Sequence, residues 1–359
     1  MILAGLSDNK TTKITTGYIQ LNRVMHKYWQ IVIIAWLINL GLFQTQALAE
    51  LSKFEQCQLR QMKRVNDNLD VAQINQICAQ IEALERNAAN GALSERMEQE
   101  RKTAFSPYVI TPHRMNYILV ASYTTGYNEQ AYEGSTLIDP QQQVESKMQM
   151  SFKVPLNYAP LLKYGDGLFF GMTMQSWWQV YSGLYSKPFR ETNYQPEIFY
   201  FHPTKWQLFN TTTNLALGLE HQSNGRELPL SRSWNRFYIA VIVEHKDWVL
   251  NFRPWWRLPE SRKKSIDDPD GDDNPDIAQY MGHWEFSGAY RIDKNIQSQF
   301  LLRYNHNTGK GAIEAGLTFP IWGRLRGYVQ GYSGYGESLI DYNHSQQRLS
   351  IGIALTDLL

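Results

Sequence analysis

The chain has 359 residues, 35 Lys and Arg against 34 Asp and Glu, and a formal net charge of +1. That balance excludes an electrostatic nucleic-acid surface, and no mature segment is long and apolar enough for a transmembrane helix. Yet 11 Trp, 21 Tyr and 15 Phe crowd the ends of alternating segments, which aromatic girdles around a membrane β-barrel explain without raising bulk hydropathy.

In chain order, the first element is an apolar run over residues 31–43, preceded by His26 and Lys27 and followed by Ala47, Leu48 and Ala49 before Glu50. A basic flank, a short apolar stretch and a small-residue cleavage site predict a signal peptide over 1–49. Met25 immediately precedes the basic flank and would start a signal of ordinary size. Export places Cys57 and Cys78 in an oxidising compartment, which predicts that they pair. Leu69, Ile74, Ile77, Ile81 and Leu84 recur at helical spacing, with Gly91 as a stop. Residues 50–110 therefore read as a periplasmic helical extension, with nothing catalytic in it.

From Pro112 the period changes from helix to strand. One-face apolar sets recur: Tyr117, Leu119, Ala121 and Tyr123; Met148, Met150, Phe152 and Val154; Leu168, Phe170, Met172 and Met174. After a strand at 195–200, Leu215, Leu217 and Leu219 share a face that continues through His221 and Ser223. Phe237, Ile239, Val241 and Val243 share another that begins at Asn235. Sets follow at Trp248, Leu250 and Phe252; at Trp284, Phe286, Gly288 and Tyr290; at Phe300, Leu302 and Tyr304; and at Ile313, Ala315, Leu317 and Phe319. A strand at 325–334 and the set Leu349, Ile351, Ile353 and Leu355 bring the count to about twelve. Turns are expected at 164–167, 305–309 and 320–323, and an irregular loop over 258–276. The fold class is all-β: a twelve-stranded antiparallel transmembrane barrel over 111–359 with a small N-terminal helical extension. The soluble alternative, a sandwich with its apolar face inward, fits the alternation too, but not the export signal or the girdles.

His221 and Ser223 project from the apolar side of one strand and Asn235 from that of its neighbour. An imidazole can take a hydroxyl proton, and an amide oxygen can orient the ring. Taken alone, His-x-Ser also describes an interfacial polar belt. Other nucleophile and phosphate-binding motifs are absent, and Ser261 and Lys264 match Ser-x-x-Lys only inside the irregular loop.

The wider context resembles the outer-membrane phospholipase A family: HQSNGR at 221–226, SRSWNR at 231–236, PFRETNY at 188–194, DDNPDI at 272–277 and YSGYGESLIDYN at 332–343. The resemblance covers roughly residues 112–359. It implies a calcium-dependent, homodimeric acyl hydrolase in the bacterial outer membrane. Its substrates would be the sn-1 and sn-2 esters of phospholipids and lysophospholipids. By the same resemblance Ser223 is the nucleophile, His221 the base, Asn235 its orienter, and Gly225 an oxyanion N–H. Ca2+ would be held by the Arg226 carbonyl, the Ser231 hydroxyl and Ser186 of the partner subunit. A second calcium site implied by the family uses two aspartates; Asp273 matches one, but Leu228 stands at the other. The acidic run 267–273 lacks EF-hand order and reads as a solvated loop. Two rivals are a structural or pore-forming barrel, which a side-chain-filled twelve-strand lumen disfavours, and a protease, which would use carboxylates to activate water.

Overall fold

The computed structural model describes residues 53–64, 70–88, 91–106, 108–133, 142–157, 159–163, 165–183, 188–208, 211–265, 268, 270–323 and 325–359. The predicted signal peptide and the start at Met25 lie outside them. The chain divides into two units, 1–83 and 84–359. In the first, helix α1 (Lys53–Arg64) and the beginning of α2 (Val71–Ala88) are joined by the expected Cys57–Cys78 disulfide. Ile74 and Ile81 pack around it.

The second unit is a closed barrel. A two-residue strand β1 (Thr111–Pro112) precedes twelve antiparallel strands: β2 (Tyr117–Thr124), β3 (Val144–Pro155), β4 (Gly167–Trp178), β5 (Phe189–Leu208), β6 (Thr211–Ser223), β7 (Ser233–His245), β8 (Trp248–Arg257), β9 (Trp284–Asp293), β10 (Ile296–Asn305), β11 (Lys310–Trp322), β12 (Leu325–Tyr335) and β13 (Ser345–Ala354). Each pairs with its sequence neighbour, and β13 pairs with β2 to complete the ring. Closure gives each of the twelve long strands a neighbour on both sides, which a sheet surrounded by hydrocarbon requires.

Alternation sets the two faces of this wall. Leu217 and Leu219 are 43% and 56% exposed, whereas Glu220 between the pair and the site is 3% exposed. The same apolar band includes Met150, Val154, Ile313, Leu317, Leu349 and Ile351. Two expectations fail locally. Tyr117 and Leu119 point inward while Val120 and Tyr123 point outward, because β2 slips register between Leu119 and Ser122 and an extra residue reverses the alternation. The expected turn at 320–323 is largely strand, since β11 runs to Trp322 with an irregularity after Pro320; proline is tolerated at such a bulge.

The lumen is packed with paired charges. Glu220 meets Arg236, Arg253 and Arg114, and Glu197 meets His113, Arg114 and the Tyr238 hydroxyl. Further along, Arg190 bridges Glu145 and Asp341, Lys147 reaches Glu337, and Arg348 joins Glu145 to Glu337. The 336–344 connection folds into the mouth, burying Ile340 and packing buried Leu339 into a cluster with Ile277, Trp234 and Trp255. This is a filled interior, and it argues against a pore.

Even strand number puts the start of β2 and the end of β13 at the end of the barrel where the tight 246–247 and 294–295 turns lie. Helix α3 (Ala92–Thr103) fastens there. Arg96 donates to the carbonyls of Leu358 (2.6 Å) and Pro112 (2.7 Å) and pairs with Glu100, which Lys153 also holds at 2.8 Å. Glu244 accepts from the Ser94 N–H at 2.9 Å, and Gly91 bridges to Lys246. The opposite end carries the longer connections, 125–143, 258–283 and 336–344, with the short helix α4 (Ile277–Met281) in the second.

Glu220→Ala should leave Arg236 and Arg253 without their shared counter-charge and destabilise the barrel by roughly 3 kcal/mol. The measurement is the guanidinium unfolding midpoint in lipid vesicles; a midpoint equal to wild type would mean the lumenal charges do not hold the wall.

Candidate active site

The site lies where β6 and β7 reach the long-loop end of the barrel. The register places His221 opposite Asn235 and Ser223 opposite Ser233. Trp234 and Arg236 flank Asn235 on the inward side and are buried, so Asn235 faces outward with His221. His221 Nδ1 and Asn235 Oδ1 are 2.9 Å apart. With the amide oxygen as acceptor, Nδ1 carries the proton and Nε2 is left as the basic nitrogen. Ser223 continues the His221 face two residues on, about 6–7 Å away along the backbone at a rise of about 3.3 Å per residue. Among the described residues no hydrogen bond joins the Ser223 hydroxyl to the ring; such bonds often tighten only when substrate is present.

The loop after Ser223 is shaped by Asn224, which is 3% exposed. Its side chain accepts from the N–H groups of Arg226 and Arg232 and donates to the Leu230 carbonyl at 2.8 Å. This internal scaffold turns the chain sharply, and Gly225 takes φ 61°, a region that disfavours a side chain. Among the described residues the Gly225 N–H has no acceptor, so a donor stands ready two residues beyond Ser223.

Arg226 sends its guanidinium to the carbonyls of Phe189 and Arg190 at 3.0 and 2.9 Å, tying this loop to the start of β5. Ser186 lies outside the described residues. Ser231 donates its hydroxyl to Asp273 Oδ2 at 2.5 Å, and Lys263 approaches Asp273 Oδ1 at 2.5 Å. From the sequence, Ser231 and Asp273 are reached only through the resemblance, and as members of two different calcium sites; nothing in the sequence marks Lys263. The 258–276 loop is bound to the site in two further places: Asn274 Oδ1 accepts from the Ser233 N–H at 3.0 Å, and Leu258 N–H reaches the Asn235 carbonyl at 2.8 Å. That loop also brings in Glu260, whose Oε1 lies 3.1 Å from Asn235 Nδ2. No pattern in the sequence marks Glu260, because an irregular segment has no period from which to read a facing direction.

Among the described residues no cluster of three or more His, Cys, Asp or Glu side chains is placed to hold a metal. The oxygens near the loop are of another kind. Ser231 gives its proton to Asp273 and so keeps its lone pairs for a cation, and the Arg226 carbonyl is a second hard donor. Hydroxyl and carbonyl oxygens of this sort suit calcium. At Asp273 the Lys263 ammonium already supplies positive charge, and Leu228 adds no carboxylate, so the donors for a second ion do not fit.

Comparison with known proteins agrees with the fold. The family model for phospholipase A1 matches residues 93–355, beginning inside α3. Phospholipase A1 of Klebsiella pneumoniae is 36% identical over 277 residues, covering 76% of this chain and 91% of that protein. Outer membrane phospholipase A from Escherichia coli aligns with a TM-score of 0.64 at 36% identity, over 70% of this chain and 100% of that one. An asparagine-to-alanine active-site mutant of the same enzyme gives 0.66 at 34% identity, over 75% and 98%. The calcium-bound dimer of the Salmonella typhi outer membrane phospholipase gives 0.66 at 35% identity, over 75% and 99%. A closed twelve-stranded barrel with an apolar outer band, matched over nearly all its length by these enzymes, identifies the chain as a multi-pass outer-membrane phospholipase belonging to the phospholipase A1 family.

Proposed function

We propose that the chain cleaves acyl esters of phospholipids at its lipid-facing wall, with Ser223 as nucleophile, His221 as general base and Asn235 as the group that orients the base. The observation that carries this is the 2.9 Å contact between His221 Nδ1 and Asn235 Oδ1 on the outward face that Ser223 shares. An ester arriving by lateral diffusion meets the serine without leaving the membrane. His221 Nε2 takes the hydroxyl proton as Ser223 attacks the acyl carbonyl. The proton then passes to the departing alcohol, leaving an acyl-serine, and water activated by the same nitrogen releases the fatty acid. The Gly225 N–H faces the developing oxyanion. Asn235 keeps Nδ1 protonated throughout. The asparagine replaced in the active-site mutant of the Escherichia coli enzyme supports this role.

Calcium and a second copy of the chain belong to the same reading, supported by the calcium-bound dimer of the Salmonella typhi relative. The Arg226 carbonyl and Ser231 hydroxyl of one copy and Ser186 of the partner subunit would hold the ion, which lends positive charge beside the oxyanion. Asp273 acts here through Ser231, whose hydroxyl it orients. A site split between subunits keeps the enzyme idle while monomeric, which protects the membrane that houses it.

Ser223→Ala should lower ester hydrolysis by about 10³-fold or more with the barrel's heat-modifiable migration unchanged. Asn235→Ala should be milder, since the basic nitrogen survives and only its orientation is lost. The assay is fatty-acid release from phospholipid in mixed micelles; undiminished turnover in Ser223→Ala places the nucleophile elsewhere.

Ser231→Phe removes a ligand oxygen and fills its space. It should weaken turnover and calcium-induced dimerisation together, because an ion bound across an interface couples the two equilibria. Cross-linking over a calcium titration, alongside turnover at several protein-to-detergent ratios, checks this. Constant specific activity in a monomeric, chelator-treated sample would defeat the shared-ion scheme.

A further inference from the structure

The amide of Asn235 has two ends, and which end faces His221 decides where the imidazole carries its proton. Oxygen toward the ring requires Nδ1–H and leaves Nε2 basic. The reverse orientation would aim a donor at Nδ1 and favour the proton on Nε2, the tautomer that is useless to a serine nucleophile. Nothing in the His221–Asn235 contact alone chooses between them. Glu260 does choose. Its Oε1 lies 3.1 Å from Asn235 Nδ2, on the far side of the amide from the ring. An ionised carboxylate can only accept, so the amide nitrogen is drawn to Glu260 and the oxygen is left for His221.

Glu260 is held for this task. Two residues earlier the Leu258 N–H is bonded to the Asn235 carbonyl at 2.8 Å, and one residue later the Ser261 carbonyl accepts from the Asp272 N–H at 2.8 Å. Arg257 fixes the base of the same loop, reaching Asp272 at 2.6 Å and the Pro275 carbonyl at 3.1 Å. Among the described residues the Glu260 carboxylate has Asn235 as its sole hydrogen-bond partner. Arg262, Lys263 and Lys264 are close in sequence, but Lys263 is engaged with Asp273, and no ion pair to Glu260 is formed among the described residues.

We infer that Glu260 is a positioning residue of the esterase: it locks the Asn235 amide and thereby sets the His221 tautomer that can accept the Ser223 proton. This rests on the Ser223–His221–Asn235 reading and extends it by one residue.

The test compares kcat and KM for Glu260→Ala, Glu260→Gln, Asn235→Ala and the Asn235→Ala/Glu260→Ala double variant. Ser223→Ala serves as baseline. All are purified full-length in calcium-saturated phospholipid micelles, with heat-modifiable migration confirming the barrel. Glu260→Ala should lower kcat roughly tenfold, the scale of a lost hydrogen bond to a charged group, and leave KM nearly unchanged. Glu260→Gln should recover most of that loss, because its amide oxygen accepts the same bond. In the Asn235→Ala background, removing Glu260 should add nothing, since the effect passes through Asn235. Full activity in Glu260→Ala, a loss confined to KM, a glutamine variant as poor as alanine, or losses that multiply in the double variant would each overturn the role. Those results, with Ser223→Ala inactive, leave the triad standing; turnover surviving in Ser223→Ala would overturn both.

Discussion

Every peptide group in a wall that faces hydrocarbon must find its partner within the protein, and this requirement governs the architecture. The pairing of β13 with β2 meets it by closing the ring. Closure then forces strict alternation, apolar outward and polar inward, and so creates a lumen into which glutamates, arginines and a lysine are driven with no bulk water to solvate them. Their mutual pairing follows, because an isolated buried charge is costly and a satisfied network is tolerable. The lumenal ion pairs are thus a consequence of the lipid-facing surface on the other side of a single sheet. They also make the wall stiff, and a catalytic group that must be placed within tenths of an ångström benefits from a wall with little freedom.

That stiffness gives the proposed hydrolytic machinery a reason to be on strands and not only on loops. His221 and Asn235 are cross-strand partners in the β6–β7 pair, so their separation is set by the sheet ladder. Trp234 and Arg236, locked inside, prevent Asn235 from rotating to the other face. The groups proposed to hold an ion are on the adjoining 224–232 loop, beside the 258–276 loop, where Asn224 and Asp273 supply local order. In the proposed mechanism, rigid strands hold the proton-transfer pair, and shaped loops hold what would respond to assembly.

Period-two alternation made the twelve strands and the shared face of His221 and Ser223 readable from residue order, because a sheet with lipid on one side permits few other patterns. It failed at β2, where a bulge between Leu119 and Ser122 reverses the faces, and at Pro320, which reads as a turn but lies within a strand, at an irregularity. Bulges depend on partners far away in sequence and leave no local mark. Asn235 was accessible for a similar reason to His221: it opens an alternating run in the next strand. Ser231, Asp273 and Arg226 came only with the resemblance to a family, since 42 residues separate the first two. Glu260 and Lys263 came from neither source. They sit in a segment without periodicity, and only folding brings that segment back over the site.

The place of the charge in this relay has a physical reason. A carboxylate directly behind the imidazole would stabilise the imidazolium better than an amide does, but at this position it would stand on the outward face, beside acyl chains. Desolvating an anion there costs far more than desolvating an amide. Asparagine accepts the ring proton's hydrogen bond with no net charge exposed to lipid. Its weakness is that it has a donor end and can turn around. Glu260, itself half-buried, removes that weakness from the loop beyond the end of β8, past the strand ladder, where a carboxylate is more easily solvated. The negative charge is moved outward by one hydrogen bond, to a position the membrane tolerates, and the neutral group in contact with the histidine keeps a single orientation.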